Sequence, residues 1–437
     1  MSLRRRWLAL SVVVLAFALI GCSSSPIPEP DDGGGEGVAA TARTSHDPPL
    51  RFDSLSAITL PPEASDSRIN LGGELRYPLP VVLHGMTAFV GAPERMLAVD
   101  TERGGDVLAV FAPDGEPLQR SGSSGWVGSN SAGAPVVGEV DGRPVVLAAF
   151  TTRHPGVGTQ RSRRYAEVVE VDAGTLGRRW ITRIEISDEM SLYGGPVVAV
   201  VVGILPGRAV VEVSQDDRHD LHLIDLENGK TIWSKPNHGP SVVAGNVIVT
   251  VVDKNPDLRG SSLVGLASED GRELWSDNSY GQDIKVGPNG GGIVVVSGAA
   301  DNLYLRMVDP TDGAIKSVID QEGSLGRTQL GVDCLFDQKT SMVCSMDDRW
   351  LSVFDTSSQK WLWRLPDDSA GRVAPRVNFA WHGAVYGETR DGPVVIDAMT
   401  GKDREVNPGI TAYHVNQYVG IGPDPQGSGV AAFRSVG

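Results

Sequence analysis

The sequence predicts an all-β fold, an eight-bladed propeller of four-stranded antiparallel blades, and three observations carry that expectation. Beyond residue 50, short apolar runs alternate with Gly and Asn turns, with almost no helical periodicity. A turn motif recurs there with a period of about 42 residues, the length of one propeller blade. Finally, the last repeat holds only three strands, and an unassigned apolar segment precedes the first, which is how a closed ring is sealed.

In chain order, Arg4, Arg5 and Arg6 precede an uncharged run from Trp7 to Gly21, too short to span a bilayer comfortably. That pattern predicts a signal peptide over residues 1–21. It closes on Leu19-Ile20-Gly21-Cys22, which resembles the bacterial lipobox and makes Cys22 the expected site of acylation and the new N-terminus. Loss of the three arginines takes the net charge from −15 to −18. A surface this acidic argues against nucleic acid or bare anionic lipid as a partner. Residues 22–49 are rich in Ser, Pro, Gly and acids and cannot bury a core, so they are expected to form a tether with a reach on the order of 30 Å.

Residues 50–437 are assigned to the propeller. In the ideal repeat an Asp ends an apolar strand, a Gly follows four residues later and a Trp four after that; Asp225, Gly229 and Trp233 show all three. Gly271 and Trp275, Asp309 and Gly313, Asp355 and Trp363, and Asp397 and Gly401 keep two marks each. A looser copy runs Asp172, Gly177, Trp180, and the earliest is placed at Phe111–Gly115, keeping the turn alone. Gly supplies a positive-φ turn position, Asp accepts backbone N–H bonds, and Trp has the area to wedge against the next blade. In the fourth blade Ser241–Val243 is expected innermost, followed by Val247–Val252, Leu263–Leu266 and Glu273–Trp275. Leu50–Leu60 is the expected donor of the strand missing from the last blade. Eight blades result; seven is the alternative, because the first blade is poorly marked.

The stretches Ile224–Trp233 (IDLENGKTIW) and Gly271–Trp275 (GRELW) resemble the repeat of the pyrroloquinoline-quinone-like propellers over roughly residues 78–407. That family includes quinoprotein dehydrogenases and the non-enzymatic BamB-type lipoproteins of the outer-membrane barrel-assembly machinery. A lipobox followed by an eight-bladed body is similar to the second group, and what the resemblance implies is a protein-interaction scaffold in the cell envelope. The repeat motif itself identifies blades rather than chemistry.

A quinoprotein would need a calcium held by oxygen ligands, an Asp base and commonly a vicinal cysteine pair. No adjacent cysteines occur, and Asp216-Asp217 and Asp347-Asp348 fall at turns, where solvated acids are the rule. His219 and His222 point to opposite faces if on a strand, and read most simply as exposed loop histidines without the further ligands zinc requires. Asn289-Gly290 is a hairpin turn signal, and Ser121–Gly133 holds no nucleophile elbow. No catalytic residue, metal or cofactor is therefore assigned. With Cys22 acylated, Cys334 and Cys344 remain as a pair in a compartment where disulfides persist, opposed across a hairpin centred near Lys339.

Two long insertions offer binding surfaces. Thr152–Tyr165 carries Arg153, His154, Arg161, Arg163 and Arg164 without an acid, suited to an acidic partner, and Gln119–Ala134 carries Trp126 among Ser and Gly. The expected function is thus a lipid-anchored extracytoplasmic scaffold holding envelope proteins. The alternative is a propeller that binds or senses a small molecule, saccharide or peptide in its central funnel. Gly, Val, Asp and Arg in abundance with scarce Lys favour a plasma-membrane anchor, an outer-membrane one being the alternative.

Overall fold

In the computed structural model the described residues are 44–65, 79–118, 133–187, 197–215, 218–255, 260–280, 282–299, 303–320, 332–427 and 429–437. Cys22 and Trp126 lie outside them. The strands form eight antiparallel sheets, seven assembled from consecutive strands and one closed by the N-terminal segment. Blade 1 is Val81–His84, Thr87–Ala92, Arg95–Asp100 and Val107–Phe111. Blade 4 is His238–Ala244, Val247–Asn255, Gly260–Ala267 and Glu273–Asp277, each strand somewhat longer than its apolar run.

In blade 8, His414–Val415, Val419–Pro423 and Val430–Arg434 are completed by Ile58–Thr59, paired with Ala432 and Ala431. Thr59 also donates its hydroxyl to Asp424 at 2.8 Å, and Phe52 bridges to Ser435. First strands touch from blade to blade, and Val81–His84 meets His414–Val415, so the ring closes. Eight blades, not seven, is the count.

Each seam between neighbouring blades has its own apolar core. Strand side chains alternate between faces, so every sheet feeds the cores on both sides. The seam between blades 2 and 3 packs Leu147, Val168 and Ile184 against Ala199, Val211 and Ile224. The seam that joins the ends of the ring packs Val419, Ile421 and Ala432 against Val81, Val90 and Leu97. Fully burying one such aliphatic side chain contributes about 1.5–3 kcal/mol. The fold therefore rests on eight modest seams rather than one central core.

The repeat motif works across these seams. The indole N–H of Trp180 donates to the carbonyl of Leu226, Trp233 to Ser268, Trp275 to Pro310 and Trp363 to Ala398, always to the residue just past the motif Asp position of the next blade. The ring lies on the next blade's turn glycine. A Cβ at Gly229, Gly271, Gly313 or Gly401 would fall 3.1, 3.2, 2.7 or 2.7 Å from Trp180, Trp233, Trp275 or Trp363 respectively. These glycines also have φ of +69 to +74°. The motif Asp side chains bind the turn from below, as Asp225 accepts from the Glu227 N–H at 2.8 Å and Asp397 from Thr400 at 2.8 Å. Asp309 and Asp355 do the same for Thr311 and Ser357.

In blades 1 and 5, which lack the Trp, the following blade has no glycine at the turn position. Ser317 of blade 5 stands in the Trp register, and Gln359 takes the positive-φ position of blade 6. In blade 1 the turn lies at Asp100–Gly104, not at Gly115 as the sequence suggested, because a second glycine, Gly105, lengthens it. Ala109 pairs with Ala98 where Trp233 pairs with Leu223. Blade 2 responds with Leu176 at φ 56°, packed in the same cluster as Ala109. Leu176, not Gly177, is therefore that blade's turn residue.

Several further expectations are corrected. Residues 46–49, expected to belong to the tether, have specific partners on the propeller. Asp47 accepts from the Trp381 indole at 3.2 Å and also meets His382, while the Pro49 carbonyl accepts from Tyr386 at 2.7 Å. Inner-strand residues Asn289 and Gly290 precede the turn, which falls on Gly291 and Gly292. His219 and His222 are strand residues, not loop ones. His219 meets Glu212 at 2.9 Å, and His222 is buried against the Ser234 hydroxyl at 2.7 Å, with burial pushing its pKa down to about 4.

Candidate interaction surface

Blade 2 departs most from the repeat. Its second and third strands, Arg143–His154 and Arg163–Asp172, run 12 and 10 residues, against six for the corresponding strands of blades 1, 6 and 7. The ladder continues to His154 opposite Arg163, forming an arm that ends in the turn Pro155–Ser162. The first strand, Val136–Val140, covers only the base of the arm. Further out its place is taken by Glu116–Pro117, paired with Arg153 and Thr152.

A buried carboxylate fastens that brace. Glu167 is fully buried, and its oxygens accept from the backbone N–H groups of Asp114 (2.7 Å) and Gly115 (3.1 Å), from Arg183 Nε (2.9 Å), and meet His154 Nε2 at 2.6 Å. Burial alone would raise this carboxyl. The donors outweigh it and hold Glu167 below the usual carboxylate range. Gly115 is required here for space, since a Cβ would stand 2.5 Å from His154 Nε2. Arg183 reaches on to Asp114 at 3.2 Å, and Arg178 joins the same carboxylate at 3.6 Å. Nearer the base, Arg179 pairs with buried Glu170 at 2.7 Å, although burial still leaves Glu170 above its ordinary range.

The cations divide by role. Arg153 pairs with Glu116 at 2.8 Å and Arg163 with Glu185 at 3.2 Å, so both are spent on stiffening the arm. Arg161 and Arg164 are exposed and form no ion pair among the described residues. The tip thus presents two uncompensated cations and an exposed Val157 on an acidic protein. The Glu167 hub was not legible in the sequence, because two of its partners, Asp114 and Gly115, lie 53 and 52 residues away in another blade's exit.

The arm joins second to third strand, so it leaves the ring on the side opposite the turns between first and second strands. The chain enters the unit on that other side: the His46 N–H donates to Gln417, and Asp47 meets His382, both in first-to-second-strand turns. A groove of about 540 Å³ also opens there, between the turns of blades 2 and 3, lined by Glu139, Asp141, Ile204 and Pro206.

Other residues singled out by the sequence are structural in placement. Cys334 and Cys344 are bonded across directly paired positions of the first two strands of blade 6, Cα atoms 4.1 Å apart. Asp337 shapes their hairpin by accepting from Lys339, Thr340 and Ser341. Among the described residues no three His, Cys, Asp or Glu side chains gather where a metal ion would sit. On the inner strand of blade 6, desolvation pushes the Asp333 carboxyl up, Lys285 pulls it down and Asp347 adds to the rise.

The PQQ_2 family, described as outer membrane protein assembly factor BamB, matches residues 74–235 and 213–405. Among solved structures, BamB from Moraxella catarrhalis is 11% identical over 81% of this chain and 95% of its own, with a TM-score of 0.45. The computationally designed Ika8 protein is 14% identical over 81% and 95%, with a TM-score of 0.50. A quinohemoprotein alcohol dehydrogenase from Pseudomonas putida HK5 is 10% identical over 81% and 73%, with a TM-score of 0.44. No curated protein sequence matches the chain.

Proposed function

The chain belongs to the PQQ_2 family of BamB-like repeat propellers, and from that premise we propose that it is a non-enzymatic, lipid-anchored scaffold that holds a partner protein in the cell envelope. The observation that carries this reading is the blade 2 arm. It is an ordered projection, braced by a fifth strand and a buried carboxylate, whose tip leaves Arg161 and Arg164 free on an acidic body. Stiffening an exposed element costs conformational entropy, and a preorganised charged tip is suited to docking and to steering an acidic partner.

Acylation of Cys22 stations this surface. Arg161 and Arg164 contact the partner in this reading, with Arg163 holding the arm through Glu185, and Trp126 supplies an apolar anchor in the insertion Gln119–Ala134. The plasma membrane is the favoured location. Fractionation of envelopes from cells making Cys22→Ala tests the anchor: the variant loses lipid labelling and leaves the membrane fraction. Retention at the wild-type level overturns it.

A further inference from the structure

The outer strand of blade 1, Val107–Phe111, reads VLAVF and ends its sheet. Among the described residues its outward row of N–H and C=O groups therefore has no strand to pair with. Val107, Leu108 and Val110 are 47, 48 and 57% exposed. Outer strands of this kind are normally guarded by charge, and blades 2–7 follow the rule with Arg179, Lys235, Glu273, Lys316, Lys360 and Asp403. Blade 1 alone among them has no charged side chain on that strand.

The unguarded edge is continuous with the arm. Phe111 leads through Pro113 and Gly115 to Glu116–Pro117, which pairs with the arm itself, so a segment lying along the edge runs toward the arm's cations. A second copy of this chain is a poor occupant, because each body carries a net charge of −15 and the two would repel. We infer that Val107–Phe111 accepts an extended strand of a partner protein, apolar at alternate positions and acidic at the end beside the arm. Backbone pairing along the edge supplies affinity, and the alternating side chains and the acidic end supply selectivity. This deepens the scaffold reading and rests on it.

The test uses the full chain and a fluorescent synthetic peptide of three Thr-Val repeats followed by four Glu residues. The expected result is saturable binding, with outward-pointing amides of Val107–Phe111 slowed in hydrogen exchange. Leu108→Lys with Val110→Lys should weaken binding at least about tenfold while leaving the melting temperature unchanged, since both side chains are exposed. Arg161→Glu with Arg164→Glu should weaken the Glu-tailed peptide and leave a tail-free peptide unaffected.

The edge inference is overturned if wild type shows no saturable binding, or if the lysine variant binds as wild type does. Loss confined to the arm variant removes the edge and keeps the arm, and loss confined to the edge variant does the reverse. A wild type that sediments as a dimer while the lysine variant is a monomer makes the edge a self-contact and also overturns the inference.

Discussion

Replacing Gly313 by Gln and Trp275 by Ser transplants onto one seam the pair that blades 5 and 6 already use, Ser317 with Gln359. Gly313 has φ +74°, and a Cβ there would lie 2.7 Å from Trp275 Cε3. Gly313→Gln alone therefore costs about 1 kcal/mol for a left-handed non-glycine residue and about 1–3 kcal/mol for overpacking against the ring. Trp275→Ser alone removes a half-buried indole and its 2.8 Å bond to Pro310, about 3 kcal/mol at the low end of the large-to-small range. With the ring gone the clash is gone, and Gly313→Gln should then cost only about 1 kcal/mol. Urea unfolding followed by far-UV circular dichroism gives the four stabilities. A favourable coupling of about 1–3 kcal/mol is expected; additivity within about 0.5 kcal/mol would refute the claim that Trp275 and Gly313 act as a pair across the seam between blades 4 and 5.

Other outcomes follow from the same contacts. His222 and His414 fold as neutral rings, each held at about 4 by burial against an ordinary 6.5, so the unfolded chain takes up protons first. Their contribution is complete above pH 6.5 and is lost as pH falls toward 4, about 3 kcal/mol for each at the limit; His222→Gln should flatten the melting temperature across that window, and an unchanged slope would contradict the assignment. Replacing Cys334 and Cys344 by Ala opens a crosslink between residues 10 apart in sequence and should cost about 2–3 kcal/mol, seen as an earlier urea midpoint. A chain beginning at Pro61 lacks Ile58–Thr59 and leaves Val430–Arg434 as a bare edge; it should sediment as oligomers where the full chain does not.

Much of the fold was legible because it repeats. Asp225, Gly229 and Trp233 state the rule once, and Gly271, Gly313 and Gly401 repeat enough of it to set the period. Blade 1 was misplaced because its turn carries two glycines, Gly104 and Gly105, and Ala109 stands where a Trp would have marked it. Leu176 and Gln359 looked like decay and are instead the partners of missing tryptophans one blade earlier, a relation visible only once the seams are known. On the surface, composition picked out Arg161, Arg163 and Arg164 but not that Arg163 is committed to Glu185. That distinction depends on a strand pairing across 22 residues, which charge counting does not see.

The most direct test of the scaffold reading places a photo-crosslinking amino acid at Arg164 in the acylated chain and illuminates intact envelopes. The account predicts one discrete protein adduct, lost when Arg161 is replaced by Glu and competed by salt. Adducts absent, or unchanged by the Arg161→Glu replacement, would contradict the claim that the blade 2 arm docks a partner.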